Sequence, residues 1–322
     1  MKHFLLTIAM LLLDVCISQA ADYHFIVAQD GTGDYTTVQA AINAVPSYSK
    51  NGPTRIKIKR GVYKEKITIP PSKVAVQLYG EDGVVLTYDA YASQPNILGN
   101  MTGTSGSGSI YIFGPDFYAE NITFQNSAGP VGQAVACHVA GDKAFFRHCR
   151  FLGYQDTLYT FGLDTREYFE DCYIEGTIDF IFGRAQAVFN RCQIHSKASG
   201  YLTAPATPQG KSWGYIFYDC KLTADEGVQG VFLGRPWRPY GQSVFIRCHM
   251  GEHIVPEGWN NWDNPDNERT AYFAEYQSTG PGAADLSKRA KWVHQLETID
   301  QYDIHKVLNG SDGWDPTMLV FE

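Results

Sequence analysis

Two aspartates stand in segments that are dense in aromatic residues and glycine. Asp156 lies in GYQDTLY, residues 153–159, and Asp179 lies in GTIDFIFG, residues 176–183. A lone aspartate in such a setting is usually a turn or cap residue. These two are 23 residues apart, and a chain that coils with a repeat of that length places them on adjacent turns, roughly 5 Å apart. Carboxylates so close do not both ionise easily, so the pair predicts an acid beside a nucleophile.

A third segment, LGRPW at residues 233–237, adds a cation and a flat apolar ring. Arg235 can keep one carboxylate ionised, and Trp237 offers a surface on which a sugar ring can lie. Gln133 and Gln155 can donate hydrogen bonds to a developing oxyanion. With the two aspartates, these side chains make up the parts of an acyl-transfer site.

The elements that must hold these residues form a repeat. Five cysteines follow the local pattern Phe-x-x-Cys at spacings of 23, 20, 28 and 28 residues, and Ile122 occupies the same frame 27 residues before the first of them. They are Cys149, Cys172, Cys192, Cys220 and Cys248. Such self-similarity is typical of a solenoid, and the short alternating runs between Gly, Asp, Asn and Pro indicate strands. We therefore predict an all-β fold, a single-stranded right-handed parallel β-helix.

One helix is predicted, near the start of the chain. Thr36 or Thr37 can cap a segment whose apolar face begins at Val38 and which ends before Pro46. We interpret it as a short N-terminal cap over the open end of the coil. The glycine- and serine-rich stretch at 103–108 is expected to be a flexible loop rather than a domain linker. The chain becomes polar and unpatterned after about residue 294, so this tail is left unassigned within one domain spanning 21–322.

The N-terminus predicts export. Lys2 precedes an apolar run from Phe4 to Leu13 and a small-residue pattern that ends at Ala20, which indicates a signal peptide over residues 1–20. A secreted or periplasmic location follows, and the run is too short for a membrane span, which needs about 20 residues. With 26 basic against 34 acidic residues and a net charge of −8, the chain offers no basic field for nucleic acid. Nothing in the sequence calls for more than a monomer.

Taken together, these segments resemble the signature motifs of the pectin methylesterase family, carbohydrate esterases that release methanol from methyl-esterified polygalacturonate. Further matches are DGTGDY at 30–35, GVYKE at 61–65, QAVA at 133–136 and TGPGA at 279–283. The resemblance covers roughly residues 23 to 293, in the family's order. It implies pectin as the partner, hydrolysis of its methyl esters as the reaction, and no metal or other cofactor.

Carried over by motif, the resemblance implies a role for each candidate residue. Asp179 is the nucleophile that attacks the ester carbonyl, and Asp156 is the general acid and then the general base. Gln133 and Gln155 are the oxyanion donors, and Arg235 orients and ionises Asp179. The subsite for the uronate ring is lined by Trp237, Phe182 and Tyr159.

Other functions remain open at this point. GKSWG at 210–214 matches the nucleophile elbow of serine esterases, but prolines precede it and a strand-like segment follows Ser212, where an elbow needs a strand and then a helix. A pectin or pectate lyase, a galacturonan hydrolase and a non-catalytic sugar-binding coil are alternatives on the same fold. The histidines and cysteines show no spacing typical of a metal site.

The cysteine file is expected to be buried packing, because free cysteine behaves as a small hydrophobe. One disulfide is nevertheless predicted, between Cys172 and Cys192. Equivalent residues on adjacent coils have Cα atoms about 5 Å apart, within the range that a disulfide spans.

Overall fold

The computed structural model describes residues 22–319 and shows a parallel β-helix, which confirms the predicted fold class. The signal peptide predicted over residues 1–20 lies outside the described residues. The strands are β1 (Phe25–Val27), β2 (Thr54–Ile58), β3 (Gly61–Lys64), β4 (Ile67–Ile69), β5 (Val76–Gly80), β6 (Val84–Tyr88), β7 (Ile110–Ile112), β8 (Tyr118–Glu120), β9 (Thr123–Asn126), β10 (Cys137–Val139), β11 (Ala144–Arg147), β12 (Arg150–Leu152), β13 (Leu158–Thr160), β14 (Arg166–Glu170), β15 (Tyr173–Gly183), β16 (Gln186–Asn190), β17 (Gln193–Pro205), β18 (Tyr215–Tyr218), β19 (Lys221–Ala224), β20 (Val231–Gly234), β21 (Gln242–Ile246), β22 (His249–Met250), β23 (Tyr272–Tyr276) and β24 (His294–Gln295). The α-helices are α1 (Val38–Ala44), α2 (Asn267–Thr270) and α3 (Ile304–Asn309).

The coil has three faces. The first is a parallel sheet in the order β1-β2-β5-β8-β11-β14-β16-β18-β21-β23-β24. The second face stacks β3, β6, β9 and β12, and the third stacks β4, β7, β10 and β13. The long strands β15 and β17 bend through both of these faces, since their first halves pair along the second and their second halves along the third. The site described below lies on the third face, at this bend.

The repeated cysteine pattern marks the corner between the first and second faces. The residue before each cysteine or its isoleucine counterpart has φ between 50° and 56°, which turns the chain sharply between two strands. These residues are Asn121, His148, Asp171, Arg191, Asp219 and Arg247. The side chain that follows the turn points into the core, so one local conformation explains the whole repeat.

Stacked side chains fill the core. Phe146, Phe169, Phe189, Phe217 and Phe245 form a file whose neighbouring rings lie 4.9, 4.7, 4.5 and 4.3 Å apart in near-parallel planes. Adjacent coils lie one strand spacing apart, and this spacing sets the distance between neighbouring rings. The file runs the length of the coils that carry the functional residues and makes them one packed unit.

The cysteine file lies beside the phenylalanine file, and the predicted disulfide is wrong. Cys172 and Cys192 are free and buried, as are the other cysteines between residues 22 and 319. Each thiol donates instead to a backbone carbonyl of the preceding coil, Cys172 to Phe146 at 3.5 Å and Cys192 to Phe169 at 3.4 Å. Adjacent coils bring the backbones to disulfide distance, but the side chains point into the core and pack there as small hydrophobes.

Helix α1 occupies the predicted place and closes one end of the coil. Thr37 is its N-cap and accepts a hydrogen bond from the amide of Ala40 at 3.3 Å. The carboxylate of Glu65 accepts the next free amides, from Val38 and Gln39, at 2.9 and 3.0 Å. The apolar face of the helix is fully buried in the core, as its pattern predicts.

The tail that the sequence left unassigned is packed, and the loop at 103–108, expected to be flexible, instead contains a 3₁₀ turn at Thr104–Gly106 and packs its last residues. The tail places Tyr302, Val307 and Leu308 against the outer side of the first sheet, and Arg166 ties it down by bonding Asp312 at 2.9 Å. In the loop at 103–108, the last residues are buried against the third face. This loop borders the functional cleft.

The free state of the cysteines gives a test. When the secreted protein is denatured without reductant and alkylated, we expect mass spectrometry of its peptides to find both Cys172 and Cys192 modified, because no disulfide links them. In the native protein both should resist the same reagent, since their side chains are buried. A cross-linked peptide containing both residues would contradict the structure.

Candidate active site

A cleft of about 240 Å³ on the third face gathers the candidate residues. Asp156, Asp179, Gln133, Gln155 and Arg235 all line it, although they are spread over 103 positions from Gln133 to Arg235 in the sequence. The other lining residues are Thr104, Phe182, Ala204, Trp237 and Trp262.

A bulge in β15 presents Asp179. The pairing of β15 with β17 shifts register between Gly176 and Ile181, and Asp179 adopts a φ of 51° within this irregular stretch. Glycine is needed at position 176, because a Cβ there would meet the Cβ of Phe180 at 2.2 Å. The bulge turns the Asp179 side chain out of the core file and into the cleft.

Asp156 lies on the preceding coil, directly beside this bulge. Its amide donates to the carbonyl of Ile178 at 3.1 Å, and its φ of 64° matches the left-handed conformation of Asp179. Aspartate tolerates this conformation better than most residues. The two side chains are 7% and 6% exposed, so the predicted pair on adjacent coils is present and buried.

Arg235 grips the carboxylate of Asp179 with two parallel hydrogen bonds. The arginine Nε lies 2.9 Å from Oδ1 and Nη2 lies 2.8 Å from Oδ2, which is the strong fork geometry of an Arg–carboxylate pair. The guanidinium is itself held between two aromatic rings, 3.8 Å from the centroid of Tyr201 and 3.7 Å from that of Trp262. Its position is therefore determined on three sides.

The two carboxyls differ in their protonation. Burial, and then the negative charge of Asp179, raise the pKa of Asp156 to about 8 against the opposing effect of Arg235. Burial also raises the pKa of Asp179, but the hydrogen bonds and charge of Arg235 hold this rise in check. At neutral pH the proton therefore resides on Asp156, and Asp179 is the carboxylate.

Gln133 and Gln155 lie at the rim of the cleft on adjacent coils. Their backbones form an isolated parallel bridge, and the amide of Ala134 donates to the carbonyl of Gln155 at 3.1 Å. Neither side chain forms a hydrogen bond with any other of residues 22–319. Both side-chain amides are thus available to a bound oxygen atom.

The three aromatic candidates form one wall but face two spaces. Phe182 and Trp237 line the cleft, with ring centroids 5.8 Å apart in an edge-to-face contact. Tyr159 stacks on Phe182 at 4.1 Å but lines an adjoining pocket rather than the cleft itself. A flat ligand in the cleft would therefore meet the Phe182 and Trp237 rings directly and Tyr159 only on the far side.

Four residues of this region are missing from the sequence prediction. Tyr201 on β17 pairs with Ile178 on the preceding coil, so the repeat spacing could have indicated that Tyr201 lies near Asp179. Trp262 comes from a loop, Thr104 begins a short 3₁₀ turn, and Ala204 has no chemical group that would mark it. For these three residues the sequence carries no signal.

The competing serine motif lies elsewhere. Ser212 is exposed on the loop before β18 and does not line the cleft, as its sequence context predicts. Between residues 22 and 319, no group of three or more His, Cys, Asp or Glu side chains comes together where a metal ion could be held. The same part of the chain contains no helix long and apolar enough to cross a membrane.

This arrangement suits acyl transfer. A carboxylate held in place can attack a carbonyl carbon, and a neutral carboxylic acid beside it can protonate the leaving group. Free amide donors at the rim can stabilise the oxyanion that forms between them. The aromatic wall favours a flat, partly apolar ring such as a sugar.

Comparisons with known proteins agree with this chemistry. A family model described as pectinesterase matches residues 24–310. Pectinesterase 31 of Arabidopsis thaliana is 42% identical over 280 residues, which cover 84% of this chain and 86% of the plant protein.

Solved structures give the same result. The pectin methylesterase from carrot superposes with a TM-score of 0.86 at 31% identity, over 95% of this chain and 99% of the carrot chain. A mutant pectin methylesterase in complex with a hexasaccharide superposes with a TM-score of 0.79 at 31% identity, over 93% of this chain and all of its own.

The raised pKa of Asp156 predicts a change in stability with pH. Between the ordinary aspartate pKa and about 8, the folded protein holds a proton on Asp156 that the unfolded chain has released, so stability falls as pH rises through this window. Asp156→Asn removes this dependence without straining the backbone, because asparagine also tolerates positive φ. In thermal melts, we expect the Tm of Asp156→Asn minus the Tm of the wild type to increase from pH 5 to pH 8.

The matched control is Asp82→Asn, at an exposed turn residue. Its Tm difference from the wild type should stay constant with pH. An advantage of Asp156→Asn that shrinks or reverses between pH 5 and pH 8 would contradict the assigned protonation.

Proposed function

The chain belongs to the pectinesterase family, and we propose that its cleft demethylates pectin through Asp179 as nucleophile and Asp156 as acid and base. It is a carboxylic ester hydrolase that converts methyl esters of polygalacturonate to carboxylates and methanol. The observation that carries the residue assignment is the buried pair itself, in which Arg235 grips one carboxylate and the other carboxyl keeps its proton.

The first half of the reaction forms an acyl-enzyme. An oxygen of Asp179 attacks the ester carbonyl carbon of a galacturonate methyl ester, and the carbonyl π electrons move onto oxygen. When this intermediate collapses, the bond to the methoxy oxygen breaks and Asp156 transfers its proton to that oxygen. Methanol leaves, Asp156 is now charged, and Asp179 carries the acyl group as an anhydride.

The second half releases the acid. Asp156, now a carboxylate, takes a proton from water as the water oxygen attacks the acyl carbon. The bond from that carbon to the Asp179 oxygen breaks, and Asp179 regains its charge beside Arg235. The product is a galacturonic acid unit, which releases its proton to solvent to become galacturonate, and both aspartates return to their starting state.

The surrounding groups support each step. Both oxygens of Asp179 accept from Arg235, but each keeps a second lone pair for attack. The unengaged amides of Gln133 and Gln155 can donate to the oxyanion in both halves of the reaction. The rings of Phe182 and Trp237 hold the uronate so that its ester group reaches Asp179.

We also propose that the chain acts as a monomer outside the cell. The predicted signal peptide supports export. The acidic net charge of −8 argues against nucleic acid as a partner. The substrate is a polymer too large to cross a membrane unaided, so an exported enzyme can reach it.

The nucleophile is tested by setting Asp179 against the serine of the alternative motif. Asp179→Asn keeps the shape and the backbone conformation but removes the attacking charge. We expect this variant to fold, by circular dichroism, and to lose about 10⁴- to 10⁶-fold in methanol release from esterified pectin. Ser212→Ala, the matched control on the exposed loop, should keep near-normal turnover.

The reverse result would overturn the mechanism. An active Asp179→Asn variant together with a folded but inactive Ser212→Ala variant would assign the chemistry to the serine. Unsaturated chain ends in place of methanol would instead identify a lyase.

The protonation of the pair predicts how the rate varies with pH. The first step needs a protonated Asp156, so kcat/KM should fall as pH rises through an apparent pKa of about 8. This apparent value belongs to the coupled pair and not to one residue alone. The measurement is methanol release from a short methyl-esterified oligogalacturonide between pH 4 and pH 10, and a rate that keeps rising above pH 9 would contradict the assignment of the acid.

A further inference from the structure

One carboxyl group lies inside the coil, away from the cleft. Glu167 on β14 is 0% exposed, and it stands two positions before Phe169, so its side chain points inward beside the phenylalanine file. Glutamate is almost never fully buried unless it is paired. The proposed reaction does not use this group, so its burial points to another role.

The neighbouring coils leave room for this side chain. In the first sheet Glu167 pairs with Ala144 on the preceding coil and with Ala187 on the next. Both alanines are fully buried. A methyl group on either side lets the longer glutamate side chain lie between them, so protein surrounds the carboxyl group and separates it from solvent.

The carboxyl group of Glu167 has no hydrogen-bond partner among residues 22–319. The Tyr215 hydroxyl lies 2.5 Å from Thr160 Oγ1, which already donates to the carbonyl of Phe182 at 3.1 Å. Tyr215 therefore donates its proton to Thr160 and has none for the glutamate. The neighbouring residue Arg166 is turned to the outer side of the sheet, where its guanidinium binds the tail.

Three titratable groups act on Glu167, and none of them is a cation. They are Cys137 on β10, Tyr215 on β18 and Asp142 before β11. Burial raises the pKa of the Cys137 thiol and of the Tyr215 hydroxyl, and the charge of Glu167 adds to both increases. Burial, and then the negative charge of Asp142, raise the pKa of Glu167 well above its ordinary value. The folded coil therefore holds this side chain as the neutral acid.

We propose that Glu167 is a pH-sensitive switch in the core: the coil packs around its neutral form, and release of its proton opens the coils that carry the cleft. A carboxylate without a donor or a cation is costly in an apolar core, so ionisation requires water to reach it. Water reaches it only when the strands around it separate. Glu167 follows Asp156 on the same coil, so this separation disrupts the cleft. The inference concerns the fold and holds whether or not the proposed reaction is right.

The direction of the pH effect follows from proton binding. Between the ordinary pKa of glutamate and the raised pKa in the folded state, the folded protein holds a proton on Glu167 that the unfolded chain has released. The stability is fully present below the ordinary pKa and is lost as pH rises toward the folded pKa. Since one proton is involved, the equilibrium constant for unfolding should rise about tenfold with each pH unit in this window.

The experiment compares the wild type with Glu167→Gln, which has the shape of the neutral acid but cannot ionise. The equilibrium constant for unfolding is measured by urea denaturation at pH 5, 6, 7 and 8, with circular dichroism as the signal. We expect the wild-type constant divided by that of Glu167→Gln to increase about tenfold per pH unit. Asp156 titrates in both proteins and cancels in this ratio. A ratio that stays constant from pH 5 to pH 8 would overturn the switch.

Two further variants serve as controls. Glu167→Met keeps the length of the side chain without any polar group and should show the same pH dependence as Glu167→Gln, so the result does not depend on how the core accepts an amide. Glu226→Gln removes an exposed carboxylate in the loop before β20, and its constant relative to the wild type should not vary with pH. A variation equal to that of Glu167→Gln would assign the effect to overall charge and contradict the switch.

Cys137 reports the opening under native conditions. Its thiol is free and buried, so an alkylating reagent reaches it only when the coil opens. The alkylation rate of Cys137 in the wild type divided by that in Glu167→Gln cancels the pH dependence of the thiol itself. This quotient, from mass spectrometry of the peptides, should rise with pH as the quotient of unfolding constants does. If it stays constant, proton release from Glu167 does not open the coil and the proposal is wrong.

Discussion

Hydrogen-bonded pairing between successive coils is the constraint on which the rest of the molecule depends. Because each strand lies in register with its equivalent on the next coil, residues 20 to 28 positions apart in the sequence become neighbours one strand spacing apart. This rule stacks the phenylalanine and cysteine files of the core. It also places Gln133 beside Gln155, and Asp156 beside the bulge that carries Asp179. The same hydrogen-bonded strand pairing therefore stabilises the fold and positions the residues of the cleft.

The two aspartates of the cleft differ in protonation because the ladder buries two carboxyl groups beside a single guanidinium. Two carboxyls are nearly inaccessible, and only Asp179 has a guanidinium partner. The unpartnered carboxyl keeps a proton, since an uncompensated charge in such a place is costly. Tyr201 and Trp262 hold the arginine to Asp179 and so decide which carboxyl stays charged and which keeps a proton, the difference on which the proposed mechanism rests.

The aromatic wall divides the binding surface by chemistry. On one side of Trp237 lie the aspartate pair and the free amides, where the proposed reaction takes place. On the other side lie two arginines with no acidic residue in the pocket lining. Trp237 lines both spaces, so its ring is the wall that the cleft and the neighbouring pocket share.

Much of the fold and of the site follows from the sequence alone, because a repeat converts sequence separation into distance. The coil, the capping helix after Thr37, and the meeting of Asp156, Asp179 and Arg235 are all predicted and found. The same rule wrongly predicts a disulfide at Cys172, because strand pairing determines backbone separation while core packing decides where a thiol points. The place of Trp262 against Arg235, the burial of the tail on the first sheet and the arginine pocket were decided only by the tertiary structure. Loops and the tail carry no periodic pattern, and their positions depend on contacts with residues far away in the sequence.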